Sequence, residues 1–241
     1  MPRSRARAIL VVLALGVASL AACGDDEPDR GGTTTAAKLS ADARLTQSDY
    51  QVLVRSWRAQ RSVERQMEAL DDDAAPQQVQ ALFGRASDAA HRDCAAYERG
   101  GAVLRALAPS CRAAAEQFEK LGATFSAMVG CTDQACLRRA FADLASSMRV
   151  GVRKMEDSRA LLADTRFVPK CREALHGTDE MLDEGRKMAS SLDGVVRLLG
   201  DESASEEQVG QALEQLGVLF EQPSRTSVAD LDPRPCKRHV G

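Results

Sequence analysis

Between Ser48 and Phe220 the apolar side chains recur every three to four residues, a spacing that only an α-helix gathers onto one side. Nowhere does an alternating β-branched run with hairpin punctuation interrupt it. The chain is therefore expected to be all-α, an up-and-down bundle of five or six helices.

The punctuation divides the pattern. Ser48-Asp49-Tyr50-Gln51 reads as a capping box opening a first helix, which buries Val52, Ala59, Val63, Met67 and Leu70 and stops at Asp71-Asp72-Asp73. Pro76 suits the first position of a second helix, where a missing N–H costs nothing, and Gly100-Gly101 ends it. Its stripe is Val79, Leu82, Phe83, Ala86, Ala90, Cys94 and Tyr97. A short helical turn around Val103, Leu104 and Leu107 precedes Pro109, which is expected to start a long helix through Cys111, Ala115, Phe118, Leu121, Phe125 and Met128. Thr132 caps a fourth, about 45 Å long, carrying Leu137, Phe141, Leu144, Met148, Val152, Met155 and Leu162. Pro169 opens a fifth, expected to run unbroken through Cys171, Leu175, Thr178, Leu182, Gly185, Met188, Leu192, Val196 and Leu199 to Gly200. A last helix, capped by Ser203-Ala204-Ser205-Glu206, carries Val209, Leu213, Leu216 and Phe220 and ends at Pro223. Pro109-Ser110-Cys111-Arg112 and Pro169-Lys170-Cys171-Arg172 echo each other, but proline at a helix start is too common to establish a duplication.

The N-terminal residues follow another logic. Arg3, Arg5 and Arg7 precede an apolar run from Ala8 to Ala18, and small residues then lead to Leu20-Ala21-Ala22-Cys23. The run is too short, and too abruptly polar afterwards, for a spanning helix; it has the layout of a secretory leader. Residues 24–46 are polar and rich in turn formers, so they cannot bury enough apolar surface to offset their conformational entropy. They read as a disordered tether, with a typical span of roughly 25 Å and a stretched limit of about 80 Å.

Leu20-Ala21-Ala22-Cys23 resembles the lipobox of bacterial lipoproteins. That resemblance covers residues 1–24 and implies cleavage just before Cys23, whose sulfur would carry a diacylglyceryl group with palmitate-type acyl chains. It further implies an extracytoplasmic protein held on the bacterial cell membrane, with the lipid bilayer as its first partner. The expected organisation is a leader over 1–22, Cys23 and tether over 23–46, a bundle over 47–222, and a tail over 223–241.

Six further cysteines remain, Cys94, Cys111, Cys131, Cys136, Cys171 and Cys236, and an even number in an exported chain points to disulfides. Cys94 ends one helix and Cys111 opens the next long one, so antiparallel packing brings them together. Cys131 and Cys136 bracket a loop-to-helix junction. Cys171 and Cys236 pair by elimination, the polar tail returning to the start of the fifth helix. A redox or zinc site would want C-x-x-C or the usual ligand spacing, and neither occurs.

Charge narrows the partners. Without Arg3, Arg5 and Arg7 the chain carries 29 basic and 35 acidic residues, a formal charge of −6. With 4% aromatic residues it offers neither the basic field nor the stacking platforms of a nucleic-acid binder. Nor would it adsorb directly to anionic headgroups, so the lipid must do the anchoring. Arginine outnumbers lysine 26 to 6, which is not evidence of an arginine-specific site.

Catalytic signatures are sparse. There is no Gly-x-Ser-x-Gly elbow, no Ser-x-x-Lys and no glycine-rich phosphate loop. Glu173-Ala174-Leu175-His176 has the Glu-x-x-His spacing of di-iron bundles, with Glu64 or Glu68 and Glu156 as imaginable partners. On an unbroken helix, however, His176 lies opposite the apolar stripe and Glu173 about 120° from it, so both should face water. Asp88 and His91 point outward by the same argument. The Met148, Met155, Met181 and Met188 stripe reads as core filler. The expectation is a protein without cofactor, metal or enzymatic activity, a binding or scaffolding module of the cell envelope. The alternative is a carrier or sensor holding a small ligand or metal between its helices.

Overall fold

The computed structural model describes residues 39–70, 75–201, 203–205, 207–212, 214 and 227–241. The leader, Cys23, the tether as far as residue 38, Asp71-Asp72-Asp73, and Leu213, Leu216, Phe220 and Pro223 of the last helix lie outside the described residues. So do the side chains of Phe125 and Met128. Among the described residues six α-helices have defined bounds: α1 Gln47–Glu68, α2 Pro76–Glu98, α3 Ala102–Gly130, α4 Gln134–Leu162, α5 Pro169–His176 and α6 Asp179–Leu198. Residues 207–212 are also helical, and 3-10 turns at Val228–Leu231 and Arg234–His239 shape the tail. The protein is an all-α, disulfide-stapled bundle: α1 packs on α2, α2 on α3, α3 on α4, and α4 on α6. Among the described residues there is no strand, only a single parallel bridge between Leu45 and Val240.

Two large apolar clusters and a small one of Ala114, Val152, Met155 and Leu182 fill the interior. One gathers Phe83, Leu121, Phe141, Leu144, Met188 and Leu192 from α2, α3, α4 and α6. The other gathers Leu45, Leu53, Tyr97, Leu104, Leu162 and Phe167 around Cys94, Cys111, Cys171 and Cys236. Three disulfides close, Cys94–Cys111, Cys131–Cys136 and Cys171–Cys236, the pairs the helix pattern implies. The second cluster also takes in the chain before α1. Leu39 N–H donates to the Leu161 carbonyl at 3.2 Å, and Leu45 is fully buried, so residues 39–46 are packed rather than free tether.

Several local expectations are corrected. Thr46, not Ser48, caps α1: its hydroxyl accepts from Asp49 N–H at 3.1 Å and Asp49 returns the bond to Thr46 N–H at 2.9 Å. The buried face of α1 is rotated, because Asp49, Ser56 and Glu64 are buried beside Leu53 and Met67 while Val52, Ala59, Val63 and Leu70 are half-buried. Pro109 starts no helix but lies inside the continuous α3, so it is not equivalent to Pro169 at the head of α5. It removes one hydrogen bond, to the carbonyl of Arg105, and both residues are exposed, where water can replace it. Asp133, not Thr132, caps α4 by accepting from Cys136 N–H at 2.7 Å.

The expected long fifth helix is two. Gly177 has φ 82°, a left-handed conformation open to glycine at little cost, and Thr178 then caps α6 by accepting from Met181 N–H. The chain leaves α5 at His176 and restarts at Asp179.

A polar seam sets the register of α3 against α4. Ser110, Gln117 and Thr124, seven residues apart, reach the Ser158 hydroxyl at 2.5 Å, the Ser147 carbonyl at 2.8 Å and the Ala140 carbonyl at 3.4 Å. All three are buried, so sliding the helices by a turn would strand their polar groups.

Candidate functional site

The break after α5 lies beside a polar recess. Arg159 of α4, Lys170, Arg172, Glu173 and His176 of α5, Thr178, Asp179 and Glu180 at the head of α6, and Asp230 of the tail line a cleft of about 560 Å³. Lys170 Nζ donates to Glu173 Oε2 at 2.6 Å, and Arg159 is ion-paired with Asp179. Arg159 Nε is buried without a protein acceptor. Three cations thus face four carboxylates around one histidine.

His176 does not stand in water as the unbroken helix implied. Because the chain turns sharply at Gly177, the imidazole folds back half-buried, with Nδ1 2.7 Å from the Gly177 carbonyl. A carbonyl can only accept, so Nδ1 carries the proton and Nε2 the lone pair. Burial pushes the imidazole pKa down to about 4, helped by the neighbouring Arg159 guanidinium and opposed by the Gly177 bond. So weak a base takes up no second proton at neutral pH, and general acid–base work favours a pKa near the working pH. Thr178 is likewise committed, as the cap of α6. The cleft brings both signs of charge to one surface beside the neutral imidazole.

The other carboxylates singled out with Glu173 lie elsewhere. Glu64 is buried against the tail, Oε1 accepting from Val228 N–H at 3.1 Å and Oε2 from Arg61 at 2.5 Å. Glu156 pairs with Arg186 at 2.5 Å, on the edge of a separate groove between α3 and α4. Asp88 and His91 are exposed. Among the described residues no group of three or more His, Cys, Asp or Glu side chains is placed to hold a metal ion.

A second recess, between α1, α2 and α3, is lined by Ser56, Glu64, Asp93, several alanines and Phe118, with Val228 against it. Its volume is about 30 Å³, room for roughly one water. Burial raises the Asp93 carboxyl above its ordinary range, opposed by the Ser56 hydroxyl and by Arg55 and Arg92. Sequence reasoning missed Arg159 and Asp93, and it named Glu64 as an imaginable metal ligand without placing it in the buried face of α1. For Glu64 a trace existed: Leu53, Ser56, Glu64 and Met67 share one helical face, which a search for apolar residues alone passes over.

Comparison with protein-family models, with characterised proteins and with solved structures finds no match.

Proposed function

We propose that this chain is an extracytoplasmic bacterial lipoprotein, anchored to the cell membrane through an acylated Cys23, whose bundle serves as a non-catalytic binding module. The observation that carries the reading is the leader ending in Leu20-Ala21-Ala22-Cys23, ahead of a chain with three disulfide pairs. The fold fits that arrangement. The chain joins the bundle at Leu39, beside the C-terminal end of α4, so residues 24–38 would link the lipid to one end of the molecule. The cleft around His176 opens near that end and offers both signs of charge to a polar partner.

Fractionation of cells tests the reading. The wild-type protein should partition with membranes and need detergent for release, whereas Cys23→Ala should not. Wild-type protein recovered in the soluble fraction would overturn the anchor.

A further inference from the structure

The three disulfides are not alike in their surroundings. Cys94, Cys111, Cys171 and Cys236 are at most 4% exposed and sit inside one apolar cluster, where no thiol reaches them while the fold is closed. Cys131 and Cys136 are half-exposed, and the four residues between them, Thr132, Asp133, Gln134 and Ala135, are all exposed. The pair spans the tight connection between α3 and α4, two 29-residue helices each about 43 Å long. It therefore caps the end of the bundle remote from Leu39, and neither cysteine belongs to an apolar cluster.

From this geometry we infer that Cys131–Cys136 is an exchangeable disulfide, the one point at which an external protein dithiol can reduce the folded molecule. The step is thiol–disulfide exchange. A thiolate of the dithiol attacks one of the two sulfurs, the Cys131–Cys136 bond breaks, and a mixed disulfide forms while the other sulfur leaves as thiolate. The second thiol of the donor then attacks its partner sulfur and releases the protein. Two electrons and two protons pass to Cys131 and Cys136, and the donor is left as a disulfide.

The fold survives the step because other bonds hold the junction. Asp133 keeps its cap on Cys136 N–H, Cys131 N–H keeps its bond to the Ala127 carbonyl at 2.7 Å, and the Thr124–Ala140 contact lies next along the seam. What changes is the tip, where a closed loop becomes an open turn with two free thiols. The inference rests on burial and position alone and does not depend on the lipid at Cys23.

Native purified protein treated with rising dithiothreitol, or with reduced thioredoxin as a protein dithiol, then alkylated and peptide-mapped, tests it. Cys131 and Cys136 should be alkylated at a thiol concentration about tenfold or more below that needed for the other four, since those open only with the fold, and helical circular dichroism should be unchanged. Thioredoxin should open the same bridge and no other. Opening of all three bridges together with loss of helix, or of either buried bridge first, would overturn accessibility as the controlling property. Reduction by dithiothreitol but not by thioredoxin would overturn the protein dithiol as the donor.

Discussion

The carboxylate of Asp49, near the start of α1, accepts the backbone N–H of Gly101 at the start of α3, at 2.8 Å. Its other oxygen accepts Thr46 N–H at 2.9 Å, and the side chain is fully buried. One carboxylate thus satisfies orphan donors at two helix N-termini, where negative charge is favoured by both dipoles. Glycine at 101 is required by space: a Cβ there would lie 2.5 Å from Asp49 Oδ2.

Asp49→Ala should therefore cost about 2–3 kcal/mol, the sum of a lost cap and a stranded buried donor. Asp49→Asn should cost less, since its one carbonyl oxygen keeps one of the two bonds. Urea unfolding followed by circular dichroism measures both, and equal, negligible shifts would show that the junction is not held by this side chain.

Acid should destabilise the fold through its histidines. His176 titrates near pH 4 and His239 below its ordinary value, the latter through partial burial and the charges of Arg238 and Arg44. Unfolded histidine binds protons near pH 6.5. Below that the unfolded chain holds more protons than the native one, so stability is full above about pH 6.5 and falls towards pH 4. For His176, discounted for partial exposure, the loss between pH 7 and pH 5 should be on the order of 1 kcal/mol. A His176→Gln variant should show a smaller loss over that interval than the wild type; an unchanged slope would contradict the depressed pKa.

Asp93 behaves in the opposite sense. Its folded pKa is raised by burial, so the ionised form is a cost at neutral pH. Asp93→Asn keeps an acceptor for Ser56 and should gain about 0.5–1 kcal/mol at pH 7. The gain should vanish in acid, where the wild-type carboxyl is itself neutral. Thermal unfolding at pH 7 and pH 3.5 reads the difference, and destabilisation at pH 7 would refute it.

The tail is gripped from both sides at Val228. Trp57 Nε1 donates to its carbonyl at 2.8 Å and Glu64 accepts its N–H at 3.1 Å. Trp57→Phe should cost about 1 kcal/mol for one hydrogen bond, and Glu64→Ala about 2–4 kcal/mol, because it strands Val228 N–H and leaves Arg61 unpaired. Amide exchange at Val228 should quicken in both variants; unchanged protection would place the grip elsewhere.

The helical class and the cysteine pairs were legible because apolar spacing and helix direction are strong local signals. Gly177 was not, since a lone glycine within a continuous stripe from Cys171 to Leu199 gives no hint that φ turns positive, and that single angle redirected His176. The face of α1 was misassigned for a different reason. Glu64 and Asp49 are buried by partners 164 and 52 residues away, and no local pattern encodes such contacts. Pro109 misled through its usual preference for helix starts, which an exposed interior position overrides.

The mass of the intact protein extracted from the cell envelope decides whether Cys23 is the lipid anchor. The expected species is a chain of residues 23–241 carrying a diacylglyceryl group on Cys23 and lacking six hydrogens, one pair for each disulfide. A mature chain that retains residues 1–22, or that ends elsewhere with an unmodified Cys23, would contradict it.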